Sequence, residues 1–104
     1  MFSRDQAGPT SSLFQMALKG SFTITNKQGL HARPAAMFVR AASQFRSSIW
    51  VMKDGEEVNG KSILGLMMLA AEHGSEVEVT ADGEDAEAAL AELGRLIQSG
   101  FNLS

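Results

Sequence analysis

Apolar and polar positions alternate along residues 21–26, with Phe22 and Ile24 set against Thr23 and Thr25. That period of two predicts a strand with one buried face. From Ala32 to about Ser43 the period lengthens. Ala35, Phe38, Val39 and Ala42 recur at helical spacing and predict a helix against a core. Residues 47–53 return to alternation, with Ile49 and Val51 on one face and Trp50 and Met52 on the other. Asp54-Gly55 is a two-residue hairpin signal, and residues 56–59 come back as a short strand through Val58. Ser62 is a good N-cap for a helix through about Leu69. In a fourth strand Val77, Val79 and Ala81 alternate with Glu76, Glu78 and Thr80. Ala86, Ala89, Leu90, Leu93 and Ile97 form the stripe of a last helix, which Gly100 stops. Glu84, Asp85 and Glu87 crowd its first turn, where carboxylates complement the helix dipole.

Strand, helix, strand, strand, helix, strand, helix, joined by short turns, predicts an α+β domain with helices covering one face of a single sheet. Length agrees, since 104 residues suit one small domain. Residues 1–16 read as a flexible N-terminal extension, polar at first and without the apolar stretch of a signal peptide, and residues 17–104 as the folded domain. A net charge of −3 gives no support for nucleic-acid binding. No apolar run is long enough for a membrane span. Cysteine is absent, which excludes disulfides and zinc–thiolate sites and is compatible with a reducing cytoplasm. Neither a metal nor another cofactor is expected.

Two apolar faces exceed what a core needs. Ala32, Ala36 and Arg40 stand at i, i+4 and i+8, so small side chains occupy a helix face that usually carries charge. They suit either a flat surface for a partner or tight packing within the domain. The helix after Ser62 is apolar almost all round, through Ile63, Leu64, Leu66, Met67, Met68 and Leu69. Leu66 and Leu69 are expected inward, with Ile63, Leu64 and Met67 at least partly outward as an adaptable docking patch.

The candidate chemistry lies in residues 28–36, Gln-Gly-Leu-His-Ala-Arg-Pro-Ala-Ala, which place His31 where a strand hands over to a helix. A helix start leaves backbone N–H groups unpaired and carries partial positive charge, so an anion beside His31 is stabilised there. Pro34 in the first turn is pre-set for the helix, and Gly29 lets the backbone approach closely. Arg33 departs from the pattern, because a cation in the first turn opposes the dipole by about 0.3–1 kcal/mol. An anion that comes and goes is the simplest compensation. A lone histidine at a helix start is ordinarily a cap or a surface residue; it is the company of Gly29, Arg33 and Pro34 that points to phosphate.

Those residues, G-L-H-A-R-P-A-A, resemble the active-site segment of the HPr family, the histidine-containing phosphocarriers of bacterial phosphotransferase systems, and the resemblance runs from about Ala17 to Phe101. It implies an open-faced sandwich, a four-stranded antiparallel sheet under three helices. It also implies a carrier rather than an enzyme. His31 accepts phosphate through Nδ1 from enzyme I, ultimately from phosphoenolpyruvate, and passes it to enzyme IIA proteins, while Arg33 stabilises the phosphate. An imidazole suits this role, since it titrates near neutrality and offers a neutral nucleophilic nitrogen. Val58-Asn59-Gly60-Lys61-Ser62-Ile63-Leu64-Gly65 resembles the segment modified by HPr kinase/phosphorylase, with Ser62 as the phosphorylated serine; otherwise Ser62 is only a cap. A cytoplasmic monomer is expected. A start at Met16 would give a length usual for the family.

Thr25-Asn26-Lys27 and Ser99-Gly100-Phe101 are similar to nitrogen-branch members, whereas the segment around Ser62 is similar to members under kinase control. The competing reading is a regulatory binding protein of the nitrogen-branch or catabolite-control type, acting through Ser62 and the helix patch. The catabolite-control relatives resemble the family without the active-site histidine, so His31 beside Arg33 discriminates. A small-ligand-binding domain would need an enclosed apolar pocket, of which the sequence gives no sign.

Overall fold

The computed structural model describes residues 17–103. Its elements are β1 (Ala17–Thr23), α1 (Ala32–Ala42), β2 (Ser48–Lys53), β3 (Glu56–Asn59), α2 (Ile63–Met68), β4 (Glu76–Asp82), α3 (Ala86–Gln98) and a short 3-10 turn (Gly100–Asn102). The expected N-terminal extension lies outside the described residues.

The four strands form one antiparallel sheet in the order β1-β4-β2-β3. Alternation decides which face is covered. Ile49 and Val51 from β2 and Val77, Val79 and Ala81 from β4 are buried, while Trp50, Glu76 and Asp82 remain exposed on the other side. The helices close the buried face with Phe38, Leu66, Leu93 and Ile97, and Phe101 fills the end of the core. This is the α+β architecture that the pattern and the resemblance predict. Strand order was beyond the pattern, because β1 and β4, distant in sequence, pair along their whole lengths.

Two boundaries and one side-chain contact differ from expectation. The first strand runs over Ala17–Thr23 instead of 21–26. Ala17, Lys19 and Gly20 carry little strand propensity, but ladder pairing from Ala17 opposite Asp82 to Thr23 opposite Glu76 overrides it. Ile24 is buried yet outside the strand, tied to the turn before β4 by Ile24 N–H to Ser75 O at 2.8 Å and Gly74 N–H to Ile24 O at 2.8 Å. The second helix stops at Met68, with Leu69 as its C-cap. Asp85, expected to support the last helix through its dipole, makes no side-chain cap bond. Its carboxylate reaches instead to the turn before β2, accepting from the Arg46 N–H at 2.8 Å, the Ser47 N–H at 2.9 Å and the Ser47 hydroxyl. The Ser47 hydroxyl above all, then the Arg46 N–H, hold the Asp85 carboxyl below its ordinary value against the opposing effect of burial. The Asp54-Gly55 hairpin is as predicted, with both residues at positive φ, 52° and 83°.

Candidate functional site

The chain enters the site through residues 24–31. Gly29 adopts φ +67°, and a side chain there would collide with the Ala71 carbonyl oxygen. Leu30 is buried and donates its N–H to the same carbonyl at 2.9 Å. This close approach sets the start of α1 beside the turn that follows α2.

His31 is the N-cap of α1, in extended backbone conformation, and its carbonyl accepts the Ala35 N–H at 2.9 Å. Its side chain makes no capping hydrogen bond and is exposed. Pro34 is buried in the third helical position and has no N–H, so the unpaired backbone donors of the first turn reduce to those of Ala32 and Arg33. No acidic residue stands in that turn, and among the described residues Arg33 forms no ion pair. Two N–H groups, a guanidinium and an imidazole thus belong to consecutive residues at one helix start, the kind of group that an anion pairs with.

The structure brings His31 and the second helix to one hollow of about 180 Å³, lined by Leu30, His31, Met67, Ala70, Ala71 and Glu72. The residues expected to form the docking patch divide by exposure. Ile63, Leu64 and Met67 are 43%, 68% and 41% exposed, and Leu66 and Leu69 point inward. Ala32 and Arg40 are exposed and Ala36 half-buried, so the small-residue stripe on α1 is open over part of its length. Arg40 lies in the last turn of α1, where a cation complements the dipole.

Ser62 caps α2 with its own hydroxyl, whose Oγ accepts the Gly65 N–H at 2.9 Å. Beside it, Lys61 Nζ donates to the Phe45 carbonyl oxygen at 2.9 Å. Among the described residues no three His, Cys, Asp or Glu side chains group as metal ligands, and no helix is long and apolar enough to cross a membrane.

Sequence reasoning missed three contributors. Met68, 65% exposed, extends the apolar patch, a consequence of the short helix turning that face to water. Ala70, at φ +54°, shapes the turn beside Gly29, and alanine carries no signal for that conformation. Asn26 is buried, and its Nδ2 donates to the Gly29 carbonyl oxygen at 2.9 Å. An asparagine three residues before a glycine was its only sequence signal.

Known proteins show the same framework. The family described as "PTS HPr component phosphorylation site" matches residues 18–99. The phosphocarrier protein HPr of Neisseria meningitidis serogroup A is 51% identical over 84 residues, covering 81% of this chain and 94% of that protein. The HPr-like protein Crh of Bacillus subtilis is 51% identical over 72 residues, 69% of this chain and 85% of Crh. Among solved structures, HPr-C-His from Thermoanaerobacter tengcongensis superimposes with a TM-score of 0.81 at 48% identity, covering 84% of this chain and 98% of that one. A second structure from that organism, described as an HPr dimer, gives a TM-score of 0.66 at 52% identity, over 77% of this chain and 92% of that one. With the histidine-led helix start, the sheet under three helices and these matches, the chain belongs to the HPr family of phosphocarriers of the phosphotransferase system.

Proposed function

We propose that the chain carries a phosphoryl group on His31, taken from phospho-enzyme I and passed to enzyme IIA proteins. One observation carries the reading: the start of α1 is left open. The imidazole caps nothing, no acid occupies the first turn, and Arg33 has no ion-pair partner among the described residues. In the transfer, His31 Nδ1 attacks phosphorus with its lone pair as the bond from phosphorus to the donor's nitrogen breaks, and the donor leaves as a free imidazole. Charge spread over the equatorial oxygens is met by the Arg33 guanidinium and the N–H groups of Ala32 and Arg33. Partners dock on Ile63, Leu64 and Met67, with Ala32, Ala36 and Arg40 at the edge of the contact. The protein acts in the cytoplasm, as a monomer while it carries phosphate. Phosphorylation of Ser62 by HPr kinase/phosphorylase regulates docking.

The match to Crh favours a second reading, a regulatory protein working through Ser62 and the α2 patch with His31 seldom phosphorylated. Incubation with phosphoenolpyruvate and purified enzyme I separates the two. Wild type takes up one acid-labile phosphate, and His31→Ala takes up none while keeping its melting temperature. Labelling retained in His31→Ala overturns the assignment, and an unlabelled wild type favours the regulatory reading.

A further inference from the structure

We infer that Asn26 is a positioning residue for phosphoryl acceptance, its side-chain amide holding the backbone that delivers His31. The inference rests on the reading of His31 as acceptor. Because the exposed His31 side chain makes no capping hydrogen bond, its location is set by the chain leading to it. The peptide group between Gly29 and Leu30 is gripped at both ends. Asn26 Nδ2 donates to its carbonyl oxygen at 2.9 Å, and its N–H, that of Leu30, donates to the Ala71 carbonyl oxygen at 2.9 Å. Gly29 N–H returns to the Asn26 carbonyl oxygen at 3.2 Å, closing a loop two residues before His31.

This loop needs an external hold. Gly29 sits at φ +67° and its contact with Ala71 leaves no room for a stiffer residue. Ala71 follows Ala70, itself held at φ +54°, a conformation that persists only where the surroundings impose it. Asn26 is 2% exposed, and its Oδ1 is buried with no hydrogen-bond partner among the described residues. An unpaired buried acceptor is destabilising, and an apolar side chain would avoid it. What asparagine alone supplies at this position is the donor to Gly29. The molecule tolerates the orphaned oxygen for the sake of that one bond, and the bond fixes the entry to the phosphate site.

The experiment compares wild type, Asn26→Ala and Asn26→Asp. The alanine variant removes the donor and the orphaned acceptor together but leaves the Gly29 carbonyl oxygen without its donor, so a modest fall in melting temperature is expected and kcat of the folded protein is the deciding readout. The aspartate keeps the shape but turns an acceptor toward the Gly29 carbonyl. Two measurements follow: NMR relaxation of the His31 amide and ring in the free protein, and phosphorylation by phosphoenolpyruvate with purified enzyme I, resolved into kcat and KM. We expect His31 to lose order and kcat to fall about fivefold or more, a loss of the kind that misplacement produces. KM for enzyme I stays within about twofold, because the patch on α2 is untouched. A purely structural Asn26 would lower the melting temperature and leave the kcat of folded protein alone. Should Asn26→Ala not fold, Asn26→Ser, with a shorter donor, takes its place. Folded variants with wild-type order at His31 and wild-type kcat overturn the inference. A wild type that accepts no phosphate overturns the acceptor reading instead, and the relaxation data alone then decide whether Asn26 holds His31.

Discussion

The first two helices pack against one another and start in opposite states. At α1 the N-cap is an imidazole that makes no capping bond, with a cation and a proline in the turn that follows. At α2 the N-cap is a serine whose Oγ already accepts the Gly65 N–H. A serine cap is worth about 0.5–2 kcal/mol, and α1 forgoes it. The core makes up the difference, through Pro34, Ala35, Phe38 and Ala42, all buried on the inner face of α1. An eleven-residue helix held by a packed stripe can leave its start open for a ligand, whereas the six-residue α2 depends on its cap. The contrast teaches that the proposed carrier site is an unsatisfied helix start and the proposed regulatory site a satisfied one.

Adding charge at the satisfied start breaks the comparison most strongly. In Ser62→Asp the carboxylate still caps α2 and meets its dipole favourably, so melting temperature holds or rises slightly. The same charge borders Ile63, Leu64 and Met67, and burying it in an apolar contact is unfavourable by several kcal/mol. Transfer to His31 is expected to fall tenfold or more, about 1.4 kcal/mol per tenfold step, chiefly as weaker enzyme I binding. Kinetics and melting curves of wild type, Ser62→Ala and Ser62→Asp check this. If the Asp variant and the authentic phosphoserine protein both accept phosphate at the wild-type rate, Ser62 is only a cap.

Arg33→Ala sharpens the other half. Removing the cation relieves its opposition to the dipole, so the free protein gains a few tenths of a kcal/mol or stays level. The transition state loses a charge-assisted partner, and transfer slows about fivefold, or roughly 1 kcal/mol. Marked loss of melting temperature in this variant would show that Arg33 holds the fold.

The parts of this arrangement that sequence exposed are those with a local signal. Alternation marked Ile49, Val51, Val77 and Val79 as inward, the Asp54-Gly55 pair fixed its hairpin, and Ser62 announced its helix, since each rule acts within a few residues. Arg33 stood out because it broke a rule, and G-L-H-A-R-P-A-A tied it and His31 to a family. The rest depends on contacts between distant segments. Strand order comes from β1 meeting β4, the shape of the Gly29 turn from Ala71, and the partner of Asp85 from Ser47, thirty-eight residues away. Helical propensity and periodicity say nothing about such pairings. Asn26 was doubly hidden, a polar residue in a loop whose amide matters only once Gly29 is in place.

The third helix start supplies a control with the smallest expected effect. Asp85, N-cap of α3, is an anion already resident at a helix start, and it binds across the gap to Arg46 and Ser47 instead of capping its own helix. The Ser47 hydroxyl first, then the Arg46 N–H, lower the Asp85 carboxyl below the ordinary aspartate value, with burial acting the other way. A carboxyl whose folded-state value is depressed adds stability that is fully present above its unfolded value, about 3.9 for aspartate, and lost as pH falls through the folded value. Wild type should therefore be more stable than Asp85→Asn at pH 7, with the difference shrinking below about pH 4. Urea titrations of both proteins at pH 7 and pH 3 measure it, and the subtraction removes the other carboxylates, which titrate alike in each. Phosphate acceptance at neutral pH should match in the two proteins, since Asp85 lies outside the hollow that His31 lines. A stability difference that is the same at both pH values would mean that Asp85 acts through shape rather than charge.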